Sequence, residues 1–162
     1  MDFQTAINLL LQNEGGLVDD PADPGGLTNW GISLNSNPSL GADWIRNCTR
    51  DQAAAWYKTN YWDVIQGDTL PGVVAFQIMD FAVNGGEGCA VHKVQQALGL
   101  ADDGRWGPQT AAAVVNVSVA KFTALFAAVK IAFYTKLTTF AHFGAGWMNR
   151  IAADIQAVAG EL

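Results

Sequence analysis

Basic residues are scarce in this chain of 162 residues. Nine Lys and Arg stand against fifteen Asp and Glu, which gives a net charge of −6. General binders of nucleic acids or acidic membranes need a basic surface, so we expect neither partner. Residues 1–110 hold 13 acidic and 5 basic side chains (−8), and residues 111–162 hold 2 and 4 (+2). The acidic first part of the chain therefore holds most of the candidate chemistry.

Cysteine and histidine are equally sparse, with two of each. Cys48 and Cys89 lack CxxC spacing, which favours two packed free thiols, and a disulfide formed late in an oxidising compartment stays open. His92 and His142 stand 50 positions apart without paired ligand spacing. We therefore expect no metal site, and no other cofactor is indicated.

Long uninterrupted hydrophobic runs are also lacking. The most hydrophobic region, 114–143, contains three lysines, which argues against stable insertion in a membrane. Residues 1–12 are too short and too amphipathic for a signal peptide, so we expect synthesis as a soluble cytoplasmic protein. Half of the residues are hydrophobic, and no repeat or long linker interrupts them. We expect a single domain, 1–162, that is a monomer.

Hydrophobic periodicity predicts a mainly α fold with about seven helices. Asp2 can cap a first helix with one apolar face, and Thr49-x-x-Gln52 resembles a capping box. Pro71 can open a buried central helix that runs to Val83. Further helices are predicted at 87–98, from Pro108 or Gln109 to about Val115, at 120–140 and at 147–158. Turn signals near residues 16–34 predict a small β hairpin.

The strip QNEGGLVDDPADPGGLTNWGI, from Gln12 to Ile32, follows the first helix directly. Glu14 continues that helix's apolar stripe at the negative end of its dipole, so its pKa should be raised, as a general acid requires. Asp23 lies nine residues further on, and Thr28 another five. We hypothesise a glycosidase trio: Glu14 as acid, Asp23 as base and Thr28 holding the attacking water. From the spacing alone, two alternatives stay open: Glu14 can be a solvated residue at a helix end, and Asp23-Pro24 can be an ordinary turn.

From its Glu14 onward, this strip closely resembles the signature of glycoside hydrolase family 108, the phage-type lysozymes (endolysins). Later blocks extend the resemblance over nearly the full chain: Tyr61-Trp62-Asp63, D-F-A-V-N-G at 80–85, Gln95-x-x-Leu98-Gly99, D-G-x-x-G-P-x-T at 103–110 and F-G-x-G-W-x-N-R at 143–150. The resemblance implies a lysozyme-like fold, with a catalytic half, 1–86, and a helical half, 87–162, similar to a peptidoglycan-binding region. Leu17 stands where the family usually has an aromatic residue, so this chain departs from the family at one minor substrate contact.

The resemblance also implies a reaction. The substrate would be the β-1,4 bond between N-acetylmuramic acid and N-acetylglucosamine, with Glu14 as the catalytic acid. The spacing of Asp23 and Thr28 is similar to that in other phage lysozymes, although Asp19 and Asp20 stand close by. The role implied is that of a phage endolysin of a Gram-negative host. It would accumulate in the host cytoplasm and need a partner such as a holin to reach the periplasmic peptidoglycan.

Other residues are candidates for substrate binding. Trp30 and Trp62 can stack on sugar rings, although most tryptophans in so apolar a chain pack in a core. Asp80 and Asn84 lie four apart on one helix face, either lining the cleft or forming a buried polar pair, and Asp80 is also a rival second carboxylate. The loop 103–110 can be a wall-binding loop or an ordinary turn in which Asp103 bonds to backbone.

Three other functions remain open from the sequence. A lytic transglycosylase would use a glutamate acid without a water-activating aspartate. A non-catalytic cell-wall-binding module would depend on residues 103–110, and a secreted antibacterial effector would share the chemistry with the phage enzyme. For the hydrolase, a water held by Thr28 favours inversion of configuration, for which the two carboxyl groups lie about 6.5–9.5 Å apart.

Overall fold

A computed structural model describes residues 1–12, 16–19 and 26–159, with Glu87 described by its backbone alone. It forms two compact units: Asp2–Asn60, and the chain from Tyr61 onward together with Met1. The described residues contain eight α-helices and one antiparallel sheet of two strands. The mainly α, lysozyme-like fold class with a hairpin near residues 16–34 is thereby confirmed.

In the unit Asp2–Asn60, the described residues form three α-helices and the hairpin: α1 (Phe3–Gln12), β1 (Thr28–Asn29), β2 (Ile32–Ser33), α2 (Ala42–Asn47) and α3 (Arg50–Tyr57). Asp2 caps α1 as predicted, because its Oδ1 accepts from the Thr5 amide at 2.8 Å. The predicted apolar face of α1 supplies four buried residues: Ala6, Ile7, Leu10 and Leu11.

The capping box at the start of α3 is also confirmed. The Thr49 hydroxyl accepts from the Gln52 amide, and the Gln52 side chain accepts from the Thr49 amide in return. The preceding helix, α2, is absent from the sequence prediction. It has only six residues, too few to display a helical period.

From Tyr61 to Ala159, within the described part of the second unit, the chain forms five α-helices: α4 (Gly72–Gly85), α5 (Glu87–Leu98), α6 (Pro108–Asn116), α7 (Val119–Tyr134) and α8 (Phe140–Ala159). Helix α4 is central and largely buried, as predicted, and α7 packs against α4, α5 and α8. The Phe81 ring of α4 makes edge-on contacts with three aromatic rings of α7: Phe126, Phe133 and Tyr134. Aromatic packing therefore joins the two helices at the centre of this unit.

The region 114–143 folds differently from the prediction of one helix at 120–140. Helix α7 ends at Tyr134, where the Thr135 hydroxyl donates to the Ile131 carbonyl and competes with continued helix formation. Helix α8 begins at Phe140, before the predicted start at Trp147. The buried Gly144 lies within this helix and leaves room for the Phe140 ring, since a Cβ on Gly144 would lie 2.7 Å from that side chain. Among the residues described, no single helix could span a membrane, and only α6 and α7 taken jointly, across a 118° bend, have the necessary length and apolarity.

Candidate active site

Two of the three predicted catalytic residues, Glu14 and Asp23, lie outside the described residues. The surroundings of both are described on either side. Helix α1 carries its apolar face as far as Leu11, and Gly26 begins the segment that leads into the hairpin. The roles of the two carboxyl groups therefore stay predictions.

Thr28, the third predicted residue, lies in β1 at the start of the hairpin. Strand β1 pairs with β2, and Thr28 also exchanges two 2.8 Å backbone hydrogen bonds with Val18. Its half-buried hydroxyl donates to the Gly26 carbonyl at 3.1 Å. Because this bond uses the hydroxyl proton, the oxygen keeps lone pairs with which it can accept a hydrogen bond from water.

The hairpin is attached to the end of α2 by two adjacent side chains. The buried Asn29 amide donates to the carbonyls of Ile45 at 2.9 Å and Cys48 at 3.1 Å. The indole of Trp30 donates to the same Cys48 carbonyl at 3.0 Å, and the Tyr57 hydroxyl donates to the Trp30 carbonyl. These bonds hold Trp30 in the turn with a left-handed backbone, φ 53°, which is costly for a bulky residue. The predicted sugar-stacking residue is therefore fixed in place and half-buried.

Asp19, one of the two aspartates that stand near Asp23 in the sequence, forms an ion pair with Arg46 of α2. The carboxylate and guanidinium lie 2.9 Å apart, and both side chains are about half exposed. Because the guanidinium already compensates its charge, Asp19 is a weaker rival for the second carboxylate. Asp20 lies outside the described residues.

Asp80 and Asn84, predicted to share one face of α4, are joined by Arg150 of α8. The Arg150 guanidinium donates to Asn84 Oδ1 at 2.5 Å, and its Nε lies 3.3 Å from Asp80 Oδ1. Asn84 in turn donates to the Asp80 carbonyl at 2.7 Å. Burial raises the pKa of the Asp80 carboxyl, and the positive charges of Arg150 and Lys130 oppose that rise. In the sequence, Arg150 stands out only as the last residue of a family motif, and nothing there indicates its contact with Asp80 and Asn84.

A second ionic contact between helices was missed entirely. Lys130 of α7 and Asp154 of α8 lie 2.5 Å apart, with side chains only 3% and 5% exposed. The lysine ammonium also lies over the Phe126 ring, 4.9 Å from its centre. Burial raises the pKa of Asp154 to about 6, although the nearby Lys130 favours its charged form. The 3.6-residue period does place Lys130 four positions after Phe126, on the buried face, and that signal was available in the sequence.

Trp62, the other predicted stacking residue, packs in the core. It is only 1% exposed, and its indole donates to Asp68 Oδ1 at 2.8 Å. A Cβ on Gly67 would lie 2.5 Å from the same ring, so that glycine makes room for it. A ring enclosed in this way has no open face for a sugar in this structure.

The loop 103–110 is organised by one buried glutamine. The Gln95 amide donates to Asp103 Oδ1 at 2.6 Å and accepts from the Gly104 amide at 2.9 Å. The Arg105 amide donates to the same Asp103 oxygen, and these bonds hold the Asp103 pKa below its ordinary value. The predicted turn, in which Asp103 bonds to backbone, is present.

Both thiols are free in this structure, and burial raises the pKa of each, which makes the reactive thiolate scarcer. His92 contacts the Asp102 carboxylate next to the loop, and His142 is exposed. Over 1–12, 16–19 and 26–159, no cluster of three or more His, Cys, Asp or Glu is arranged to hold a metal ion.

Comparisons with known proteins identify the family. The model of Glycosyl hydrolase 108 matches residues 7–86, the range that contains Glu14, Asp23, Thr28 and Asp80. The structure of SagA from Brucella abortus is similar to this chain, with a TM-score of 0.87 and 32% identity over 98% of this chain and 94% of that one. No curated protein matches the sequence. The chain belongs to glycoside hydrolase family 108, and it is a peptidoglycan hydrolase.

Proposed function

We propose that this hydrolase is an N-acetylmuramidase, which cleaves the β-1,4 bond between N-acetylmuramic acid and N-acetylglucosamine. Glu14 protonates the leaving sugar oxygen, Asp23 takes a proton from water, and Thr28 holds that water. The observation that carries the proposal is the family match over residues 7–86, because it contains all three residues at the spacing of a lysozyme trio.

The hydrogen bonding of Thr28 supports its part in this mechanism. Its hydroxyl proton is donated to the Gly26 carbonyl, so its oxygen is left to accept a hydrogen bond from water. A water that donates to Thr28 keeps a lone pair for attack and a second proton for the base. This arrangement favours direct attack by water, with inversion of configuration, over a covalent intermediate.

We assign substrate contacts to Trp30 and to the cluster of Asp80, Asn84 and Arg150. Trp30 offers an aromatic ring whose position is fixed by its bonds to Cys48 and Tyr57. The Asp80–Asn84–Arg150 cluster offers polar groups already oriented by one another, with the Arg150 side chain 31% exposed. Hydrogen-bonding groups held in advance bind a sugar at less entropic cost than mobile ones. Trp62 is omitted from this set because it is buried.

Product analysis on purified peptidoglycan tests the proposal directly. Wild-type enzyme should release fragments with reducing N-acetylmuramic acid ends, and Glu14→Gln should lose at least about 100-fold in rate, since the proton donor is removed. Glu87→Gln is the matched control, because it changes another of the three glutamates and should retain activity.

Each alternative gives a distinct result in the same experiment. Anhydro-muramic ends would identify a lytic transglycosylase, and reducing N-acetylglucosamine ends would identify a glucosaminidase. Wall binding without any cleavage would identify a non-catalytic module. A Glu14→Gln protein that digests walls at the native rate would overturn the assignment of the acid.

We also propose that the enzyme serves as a phage endolysin in a Gram-negative host and depends on a holin. Expressed alone inside such a host, the chain should accumulate without lysis. Expressed together with a holin, it should lyse the cells within minutes. Lysis by the chain alone at the same rate would contradict holin dependence, and secretion toward neighbouring cells would favour the effector role.

A further inference from the structure

An open groove of about 400 Å³ lies on the unit Asp2–Asn60. Two tryptophans, Trp44 and Trp56, and three polar side chains, Gln52, Thr59 and Asn60, line it together with two aliphatic residues. All of its lining residues are uncharged, in a chain whose net charge is −6. Its residues are separate from the strip 12–32 and from the Asp80 cluster, so neither the trio nor the proposed contacts account for it.

One face of α3 and the π-helical residues that follow it directly build most of the groove. Gln52, Trp56 and Thr59 are spaced four and three residues apart, which places them on the same side of a helix. Tyr57 points to the opposite, buried side. Trp44 comes from α2, so two neighbouring helices each contribute one indole.

The Trp56 ring is held by its neighbour. Its centre lies 5.2 Å from that of the Tyr57 ring, at an angle of 78°, and Tyr57 is itself anchored by its hydroxyl to the Trp30 carbonyl. A tryptophan with a supported edge and a partly exposed surface is a rigid apolar platform.

The polar groups of the groove present both donors and acceptors. The Gln52 carbonyl accepts from the Thr49 amide, which leaves its Nε2 as a donor. The Asn60 amide donates to the Trp56 carbonyl at 2.8 Å, which leaves its Oδ1 as an acceptor. The Thr59 hydroxyl is exposed and can do both. Each free group is therefore available to a ligand.

Aromatic platforms beside uncharged donors and acceptors match the chemistry of a sugar. A sugar ring has an apolar face of C–H groups that packs on an indole, and an edge of hydroxyl and N-acetyl groups that both donate and accept. A nucleic acid or a charged peptide would need charged partners, and an apolar helix would leave the three polar groups unpaired. We propose that this groove is a second glycan-binding site, which holds uncharged N-acetylhexosamine units of a peptidoglycan strand apart from the bond that is cleaved. The inference rests on the proposed function for its choice of glycan.

The test measures binding separately from cleavage. The Glu14→Gln protein is titrated with the β-1,4-linked tetramer of N-acetylglucosamine by calorimetry, and its retention on insoluble peptidoglycan is measured by sedimentation. Trp44→Ala and Thr59→Glu, each added to that background, should weaken both by about five- to tenfold, since one platform is lost or the groove is blocked and charged. Thr138→Glu is the control, because it makes the same change at an exposed position in the other unit.

The outcomes separate the groove from the catalytic proposal. If both groove variants bind tetramer and wall as the Glu14→Gln parent does, the second site does not exist. If Trp44→Ala fails to fold, Thr59→Glu decides alone, because its side chain is exposed. If wild-type enzyme leaves peptidoglycan uncut and the groove variants still lose binding, the muramidase proposal fails and the glycan site stands. An equal loss in Thr138→Glu would assign the effect to added negative charge and overturn the site.

Discussion

The buried ion pair between Lys130 and Asp154 yields a quantitative prediction for Lys130→Met. Methionine fills a volume similar to that of the lysine stem but leaves the Asp154 carboxylate, which is 5% exposed, without its paired cation. Removing one partner of a buried pair typically costs about 3–5 kcal/mol in the free energy of unfolding. We expect a loss of that size at pH 7.5. At this pH the variant must either bury a charged Asp154 carboxylate or bind a proton that solvent supplies only at a cost in free energy.

The loss should shrink in acid. Burial raises the pKa of Asp154 from 3.8 to about 6, so the folded protein binds this proton more tightly than the unfolded chain does. A difference of about two units corresponds to about 3 kcal/mol, and this contribution to stability is present below pH 3.8 and lost as pH rises through about 6. Without Lys130 the pKa of Asp154 rises further, so at pH 5 the carboxyl is neutral and the variant should lose only about 1 kcal/mol, the value of one hydrogen bond.

Urea unfolding at pH 5 and at pH 7.5 measures both values. Lys136→Met is the matched control, because Lys136 is exposed and its replacement should change stability little at either pH. The double variant Lys130→Met/Asp154→Leu removes both charges and should recover most of the loss. A loss that is equal at the two pH values, or below about 1 kcal/mol at pH 7.5, would refute the argument from burial.

Three further variants test other parts of the structure. Asn29→Ala should destabilise the protein by about 2 kcal/mol in urea unfolding, since two buried hydrogen bonds to the carbonyls of Ile45 and Cys48 are lost, and an unchanged midpoint would contradict the anchoring of the hairpin. Gly67→Ala should cost about 1–3 kcal/mol, because its Cβ would lie 2.5 Å from the Trp62 ring, and a neutral result would place that ring elsewhere. Arg150→Met should raise the pKa of Asp80, seen by NMR titration of the carboxyl, and no shift would exclude their 3.3 Å contact.

Those parts of the fold that depend only on residues close together in the chain could be predicted from the sequence. The cap at Asp2 and the box at Thr49 depend on residues within three positions of each other, so their chemistry is visible in the sequence. The end of α7 was misplaced because Leu137 and Phe140 continue the helical spacing of its apolar residues and hide the break at Thr135. Hydrophobic periodicity cannot distinguish one long helix from two that pack against each other.

The candidate site was predicted only where residues are close in the sequence. Asp80 and Asn84 are four apart and were paired correctly, whereas Arg150 stands 66 residues after Asn84 and could not be assigned to them. Trp62 illustrates the opposite difficulty. A tryptophan in a family motif can bind sugar or fill a core, and only the packing of Gly67 against its ring distinguishes the two.

The attachment of the hairpin to α2 has a consequence for how this unit opens. Helix α2 has six residues, and isolated helices below about 12 residues scarcely form in water. Its last carbonyls are occupied by the side chains of Asn29 and Trp30, so neither the helix nor the hairpin can loosen without releasing the other. Their amide protons should therefore exchange with solvent in one shared event, and any change that melts this short helix would also displace Thr28.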